Sequence, residues 1–202
     1  MGLVEGEIPR KNIVAFAIFG NGPFDKRIFE AILHKFNGKC SILIPTLGFM
    51  VIGGQRTIRA VAWLIDNRRK FSIFPSEIWI VIDKEHEKEL LENLKMYFQC
   101  KDILEEENIL KMSISRTGVE YIDLVVILMG KEKSIEENIA ILIKEHMKID
   151  VKPDEKAIGK NTRRKRDNTK RTHNGIWKEG VEKSIWGLIG MLEKYEKQCR
   201  SS

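Results

Sequence analysis

The sequence predicts an α/β protein: a Rossmann-like, mostly parallel wound sheet with helices on both faces, plus a basic loop and a C-terminal helix. The first observation is a set of almost wholly apolar runs, such as residues 12–19, which are typical of strands buried on both faces. The second is that segments with apolar residues at helical spacing alternate with these runs. At 202 residues the chain has the size of one domain.

The first part of the chain predicts a β-α-β-α unit. Strands are expected over residues 12–19 and 40–44, the second of which is closed by Pro45. The helix between them begins after Asp25 and ends near Asn37 and Gly38. A loop over residues 46–54 then leads into a second helix over about residues 55–69.

The second part continues the alternation. A strand over residues 77–82 ends directly at Asp83, and an amphipathic helix follows over residues 85–98. Residues 109–114 and 121–129 are further strand candidates, and the segment between them fits either a hairpin turn or a longer loop. A capped helix is expected from Ser134 to about residue 147, so residues 1–149 form the predicted wound domain.

Residues 150–202 are predicted to be a basic segment and a closing helix packed on the same domain. The closing helix carries apolar residues at helical spacing from Trp177 to Tyr195 and is a candidate surface for a homodimer. Clustered cations neutralise phosphates, so the segment indicates nucleic-acid binding, with a solvated linker as the alternative. Its candidate binding residues are Arg163, Arg164, Lys165, Arg166, Lys170 and Arg171. The helix over residues 55–69 would extend this surface through Arg56, Arg59, Arg68, Arg69 and Lys70, unless these form an ordinary exposed helix face.

Composition narrows the class of protein. The formal net charge of +6 is compatible with nucleic acid, a membrane surface or an acidic protein as partner. No apolar run reaches the ~18 to 20 residues that cross a bilayer, and the start of the chain lacks the features of a secretory signal. Cys40, Cys100 and Cys199 are far apart and lack metal-ligand spacing, which predicts free thiols in a reducing compartment. We therefore expect a cytoplasmic protein with no membrane partner.

Polar or glycine-rich loops follow the first three predicted strands. Because ligands bind at the carboxyl ends of strands in a wound sheet, the loops over residues 20–25, 48–54 and 83–86 should meet in space. Asp83 and Glu85 can both face one hard cation, Mg²⁺ or Mn²⁺, that would assist phosphodiester chemistry. The alternative is that Asp83 caps the next helix while Glu85 and Glu87 complement its dipole. His86 beside them fits a helix-surface histidine better than a ligand.

Three short motifs follow one another along residues 12–89: Asn21-Gly22-Pro23-Phe24-Asp25 after strand one, Gly53-Gly54 at the second helix, and Asp83-Lys84-Glu85 after strand three. In order and spacing they resemble the motifs of the Toprim domains of the overcoming-lysogenization-defect nuclease type and of their small stand-alone relatives. The resemblance implies a metal-dependent nuclease in which Asp25, Asp83 and Glu85 bind the metal and carry the chemistry.

The chain departs from that family at Asn21, where the family has a glutamate. A neutral amide takes no proton and coordinates a cation more weakly than a carboxylate does. Val4-Glu5-Gly6 looks like the missing motif, but no strand is predicted ahead of it. Three hypotheses therefore stand: a magnesium-dependent nuclease, a catalytically inactive regulator that binds nucleic acid or a nucleotide, and a protein-interaction module built on the last helix.

Overall fold

The computed structural model describes most of the predicted wound domain and the end of the chain. The described residues are 2–5, 13–20, 26, 29–30, 33, 40–71, 74–106, 108–116, 120–130, 134, 136–137, 140 and 186–201. Asn21 and Asp25 lie outside them, and so does the basic segment with Arg163, Arg164, Lys165, Arg166, Lys170 and Arg171. The predictions on those residues therefore stay predictions.

The described part of the chain contains a mixed, mostly parallel sheet of seven strands in the order β1-β3-β2-β4-β7-β6-β5. The strands are β1 (Gly2–Glu5), β2 (Ile13–Phe19), β3 (Ser41–Ile44), β4 (Glu77–Asp83), β5 (Gln99–Glu106), β6 (Ile109–Ser115) and β7 (Ile122–Met129). β1, β3, β2, β4 and β7 run parallel to one another, while β6 is antiparallel to both β5 and β7. The α/β class predicted from the alternating runs is confirmed.

The sequence prediction missed the strands at the two edges of this sheet. β1 is short and pairs in parallel with β3 alone, so it lacks the long apolar run of a central strand. In β5 almost every residue is exposed, so its pattern is polar. The argument that no strand precedes Val4-Glu5-Gly6 was therefore wrong. Glu5 nevertheless ends a strand three places away from β4 in the sheet, which is about 14 Å.

β6 and β7 are consecutive strands that pair directly. They are antiparallel neighbours, and Ile114 lies opposite Ile122 in the register. Residues 117–119 between them lie outside the described residues, so the choice between a hairpin turn and a longer loop stays open. The predicted helix over residues 85–98 is also shorter than expected, because β5 begins at Gln99.

Two helices cover one face of the sheet. They are α1 (Gly54–Asp66), followed by a 3₁₀ turn over Arg68–Lys70, and α2 (Glu87–Tyr97), preceded by a 3₁₀ turn over Lys84–His86. Ile78, Ile80 and Ile82 of β4 belong to the core that these helices bury. Since successive side chains of a strand point to opposite faces, Trp79, Val81 and Asp83 face the other side of the sheet.

The opposite face is covered by a helical segment containing Phe29 and by α3 (Trp186–Ser201). The ring of Phe29 lies 6.4 Å from that of Trp79 and 5.6 Å from that of Phe19. Tyr195 of α3 reaches the same tryptophan at 5.3 Å, and Leu192 is fully buried. Tyr195 and Leu192 of the last helix thus pack within the chain, and the prediction that this helix serves a homodimer stays a prediction.

The phenol of Tyr195 anchors α3 to the start of β4. Its hydroxyl donates to the carboxylate of Glu77 at 2.5 Å, and the indole Nε1 of Trp79 donates to the same carboxylate at 2.8 Å. Burial, and then the hydrogen bond to the carboxylate of Glu77, raise the pKa of Tyr195 well above its ordinary value. The folded chain therefore keeps this proton at pH values where the unfolded chain releases it.

We expect a dependence of stability on pH that Tyr195→Phe removes. The unfolded phenol ionises near pH 10, so the contribution of this group is fully present below about pH 10 and is lost as the pH rises through the higher folded value. Tyr195→Phe should cost about 1 to 2 kcal/mol at pH 8, and this difference should shrink by about 1 kcal/mol near pH 11 after allowance for solvent screening. Urea unfolding at the two pH values measures it, with Tyr121→Phe at an exposed tyrosine as control. A difference that grows with pH contradicts the assignment.

The prediction of free thiols is wrong for Cys40 and correct for Cys100. Cys40 is fully buried and disulfide-bonded, whereas Cys100 is free. Cysteines far apart in sequence gave no spacing pattern, so only the folded chain could bring a partner to Cys40. Among the described residues, no helix has both the length and the apolarity that a membrane crossing requires.

Candidate functional site at the carboxyl edge of the sheet

The chain leaves β2 and β4 in opposite directions. From β2 it continues to β3 on one side, whereas every strand after β4 lies on the other side. These diverging connections leave a crevice between the carboxyl ends of the two strands, the position where ligands bind in open α/β sheets. Gly20 follows β2 and Asp83 ends β4, so these two residues border the crevice.

Backbone hydrogen bonds join the loops that the sequence predicted to meet. The amide of Gly20 donates to the carbonyl of Val81 at 2.8 Å, and the amide of Gly53 donates to the carbonyl of Gly20 at 2.8 Å. The loop after β3 is thereby fixed to the end of β2, beside β4. The predicted meeting of the loops is confirmed for the first two, through Gly20 and Gly53, and stays a prediction for the loop over residues 83–86.

Glycine is required at these two neighbouring positions for different physical reasons. Gly53 adopts a φ of 82°, a left-handed conformation that side chains rarely tolerate. A Cβ on Gly54 would lie 2.9 Å from the backbone nitrogen of Leu90, so only glycine allows the start of α1 to approach α2 this closely. The motif therefore shapes the border of the crevice through the backbone.

Asp83 is a nearly buried carboxylate at the end of the central strand β4. Its exposure is 8%, and its side chain makes no capping hydrogen bond to the 3₁₀ turn that follows. The alternative interpretation, in which Asp83 caps the next helix, is therefore wrong. Burial of a carboxylate costs free energy, so such a group at the rim of a crevice is a candidate for function.

Glu85 and His86 belong to a different group of side chains. Glu85 is half exposed, and its Oε1 lies 3.8 Å from Nε2 of His86. Nδ1 of the same histidine lies 3.8 Å from Oε2 of Glu89. His86 is thus positioned between two glutamates at the surface, in agreement with its interpretation as a helix-surface histidine.

Glu89 is the residue that sequence reasoning missed. Its carboxylate accepts hydrogen bonds from the amides of Gly54 and Gln55, at 3.3 and 3.1 Å, and so caps the N-terminus of α1. No sequence pattern could identify this cap, because capping residues are normally found next to the helix they cap and Glu89 is 34 residues away from Gln55. The consequence is that a carboxylate already occupies the first turn of α1.

The described residues supply two candidate carboxylate ligands for a divalent cation. Asp83 and Glu85 offer the oxygen ligands that magnesium prefers. Within the described ranges, however, no group of three or more His, Cys, Asp or Glu side chains is placed to hold a metal ion. Asp25, the third predicted ligand, lies outside these ranges.

The far side of the crevice carries a cation and an amide. Nζ of Lys84 donates to Oδ1 of Asn108 at 3.2 Å, and the backbone carbonyl of Asn108 accepts from the amide of Leu128 at 2.8 Å. Asn108 lies between β5 and β6, so these two hydrogen bonds join that connection to β7 and to Lys84, the residue after β4. Lys84 is half-buried there and presents a positive charge next to Asp83 in sequence.

The five cations predicted along the second helix do not form one patch. Arg56 and Arg59 lie on the first half of α1, nearest the carboxyl edge, and are exposed. Arg68 and Arg69 line a cleft of about 500 Å³ at the amino edge, with Tyr121 and Asp123. Only the first pair is placed to extend a surface around the crevice.

The chain has no significant match among protein-family models, curated proteins or solved structures.

Proposed function

We propose that the chain is a Toprim-like protein with a Rossmann-like wound sheet that binds nucleic acid and cleaves phosphodiesters with a divalent cation. The observation that carries the proposal is the nearly buried carboxylate of Asp83 in the crevice where the connections of β2 and β4 diverge. Order and position of the three sequence motifs support the same interpretation. The crevice is the place where the substrate phosphate would bind.

Asp83, Glu85 and Asp25 are the residues that would hold Mg²⁺ or Mn²⁺. Asp83 points to the face of the sheet covered by the helical segment of Phe29. Asp25 precedes Phe29 by four positions in the sequence, and the proposal requires the two aspartates to converge. When bound, the cation would polarise the phosphodiester and activate a water molecule.

The second candidate is a nucleic-acid or nucleotide-binding protein without catalysis. Two observations favour it: Asn21 replaces the glutamate of the family, and Glu85 lies against His86 at the protein surface. Cleavage assays on end-labelled DNA and RNA with Mg²⁺ or Mn²⁺ separate the candidates. Binding without cleavage under every metal condition supports the second, and cleavage supports the first.

The basic segment is expected to supply much of the affinity for nucleic acid. Log K falls as log salt rises, and each neutralised phosphate of a single strand adds about 0.7 to the magnitude of this slope. Replacing Arg163, Arg164, Lys165 and Arg166 together with glutamine should therefore reduce the magnitude of that slope by about 3.

Fluorescence anisotropy over a range of salt concentrations measures this slope. Lys88→Gln/Lys95→Gln, at two exposed lysines of α2, is the control for a general loss of positive charge. A slope unchanged by the fourfold replacement contradicts a role of this segment in phosphate binding. A wild-type chain that binds neither DNA nor RNA contradicts the proposed function as a whole.

A further inference from the structure

The loop between β3 and α1 exposes an unusual set of apolar side chains beside the crevice. Met50 is 71% exposed, Ile52 47% and Phe49 44%, although the neighbouring Val51 packs against the core. We call Phe49, Met50 and Ile52 the apolar loop. Exposed apolar groups of this size in one short loop indicate a contact surface.

The apolar loop lies along α1. The ring of Phe49 packs edge-on against Trp63 at 6.4 Å, while the other end of the loop is fixed at Gly53, next to the first residue of α1. From Gly54 to Trp63 a helix rises about 13 Å, and four extended residues span about the same distance. The loop therefore runs antiparallel to the first turns of the helix.

The exposed side of α1 carries two arginines on the same stripe as Trp63, which the loop contacts through Phe49. Arg56, Arg59 and Trp63 have the spacing i, i+3, i+7, which places them on one stripe of the helix. Nε of Arg59 donates to the hydroxyl of Tyr97 at 3.4 Å, and the guanidinium of Arg116 lies over the same ring at 5.9 Å. Apolar side chains, aromatic rings and guanidinium groups thus share one surface.

We infer that this surface binds single-stranded nucleic acid, with unstacked bases against the apolar loop and backbone phosphates on Arg56 and Arg59. A single strand offers both apolar base faces and closely spaced negative charges, whereas the base faces of a duplex are covered by stacking. Arginines bind the phosphates by charge and by hydrogen bonds. The surface ends at Gly53, which is bonded to Gly20, so a strand held along α1 leads into the crevice. The inference rests on the proposed function and names its substrate class.

Two variants of the full chain separate the two kinds of contact. Met50→Ser/Ile52→Ser should weaken binding to a fluorescein-labelled single strand about fivefold or more, because the two substitutions remove apolar surface that the bases would bury. The slope against salt should stay the same, and binding to a duplex of the same length should change little. Arg56→Gln/Arg59→Gln should instead lower the magnitude of the slope by about 1.4.

Leu104→Ser on β5 and Lys95→Gln on α2 are the matched controls, because each replaces an exposed side chain of the same kind elsewhere. Thermal melts followed by circular dichroism verify that all variants are folded. The inference is overturned if both test variants bind the single strand as the controls do while the wild type binds nucleic acid. It is also overturned if Met50→Ser/Ile52→Ser abolishes self-association in sedimentation experiments without changing affinity for the strand. Failure of the wild type to bind at all refutes the proposed function together with this inference.

Discussion

Asp83→Asn is expected to abolish metal-dependent cleavage while leaving nucleic-acid binding largely intact. A bound cation supplies several kcal/mol of transition-state charge stabilisation, and each ~1.4 kcal/mol corresponds to a factor of ten in rate. Removal of the buried carboxylate at the end of β4 should therefore lower the rate by at least about 100-fold. The Kd for the labelled strand should change much less, since the basic residues supply most of the affinity.

Thermal stability tests the metal-binding role of Asp83 without an activity measurement. A cation that binds only the folded chain raises its melting temperature, increasingly so as its concentration exceeds the Kd, so Mn²⁺ should stabilise the wild type and not the Asp83→Asn variant. Asp123→Asn is the matched control, because Asp123 is an exposed aspartate near the amino end of β7, at the opposite edge of the sheet. Equal stabilisation of wild type and Asp83→Asn by Mn²⁺ would show that Asp83 holds no cation.

Trp79→Ala should cost about 3 to 5 kcal/mol of unfolding free energy. Trp79 is fully buried and connects the helical segment of Phe29 with α3, so its loss leaves a cavity between two elements and removes one donor from Glu77. Domains are typically stable by only about 5 to 15 kcal/mol, so the variant should be close to unfolding at 37 °C.

Trp63→Ala provides the comparison for this large effect. Trp63 is half-buried and packs against Phe49 and Phe71 near the surface, so its removal should cost roughly half as much. Urea unfolding followed by far-ultraviolet circular dichroism measures both variants without depending on tryptophan fluorescence. Equal losses for the two variants would contradict the central position assigned to Trp79.

Apolar runs were sufficient to predict the central strands, because a strand buried on both faces needs apolar residues at nearly every position. β2, β3, β4 and β7 came from such runs, whereas β6 was a strand candidate with polar residues at Lys111 and Ser113. The same reasoning could not find β5, whose side chains are exposed, since its pairing with β6 comes from backbone hydrogen bonds. Edge strands carry little of the pattern from which strands are predicted.

The candidate site, like the sheet, could be predicted only in part. The position of Asp83 followed from the rule that ligands bind at the carboxyl ends of strands, and the bonds between Gly20, Val81 and Gly53 agree with that rule. The cap that Glu89 places on α1 was not predictable, because it depends on how two helices pack. The exposure of Met50 was equally hidden, because an apolar residue in a loop is as compatible with a buried as with an exposed position.

β5 also bears on how the chain behaves at high concentration. An open strand edge can template addition of strands from other molecules, which leads to aggregates. Here the register with β6 shifts between Lys101 and Leu104, and Asp102 lies in this interruption with a φ of 54°. Such a bulge breaks the regular row of amide and carbonyl groups that an incoming strand would need. Strand pairing between molecules through this edge should therefore be weak, even though Ile103 and Leu104 are exposed there.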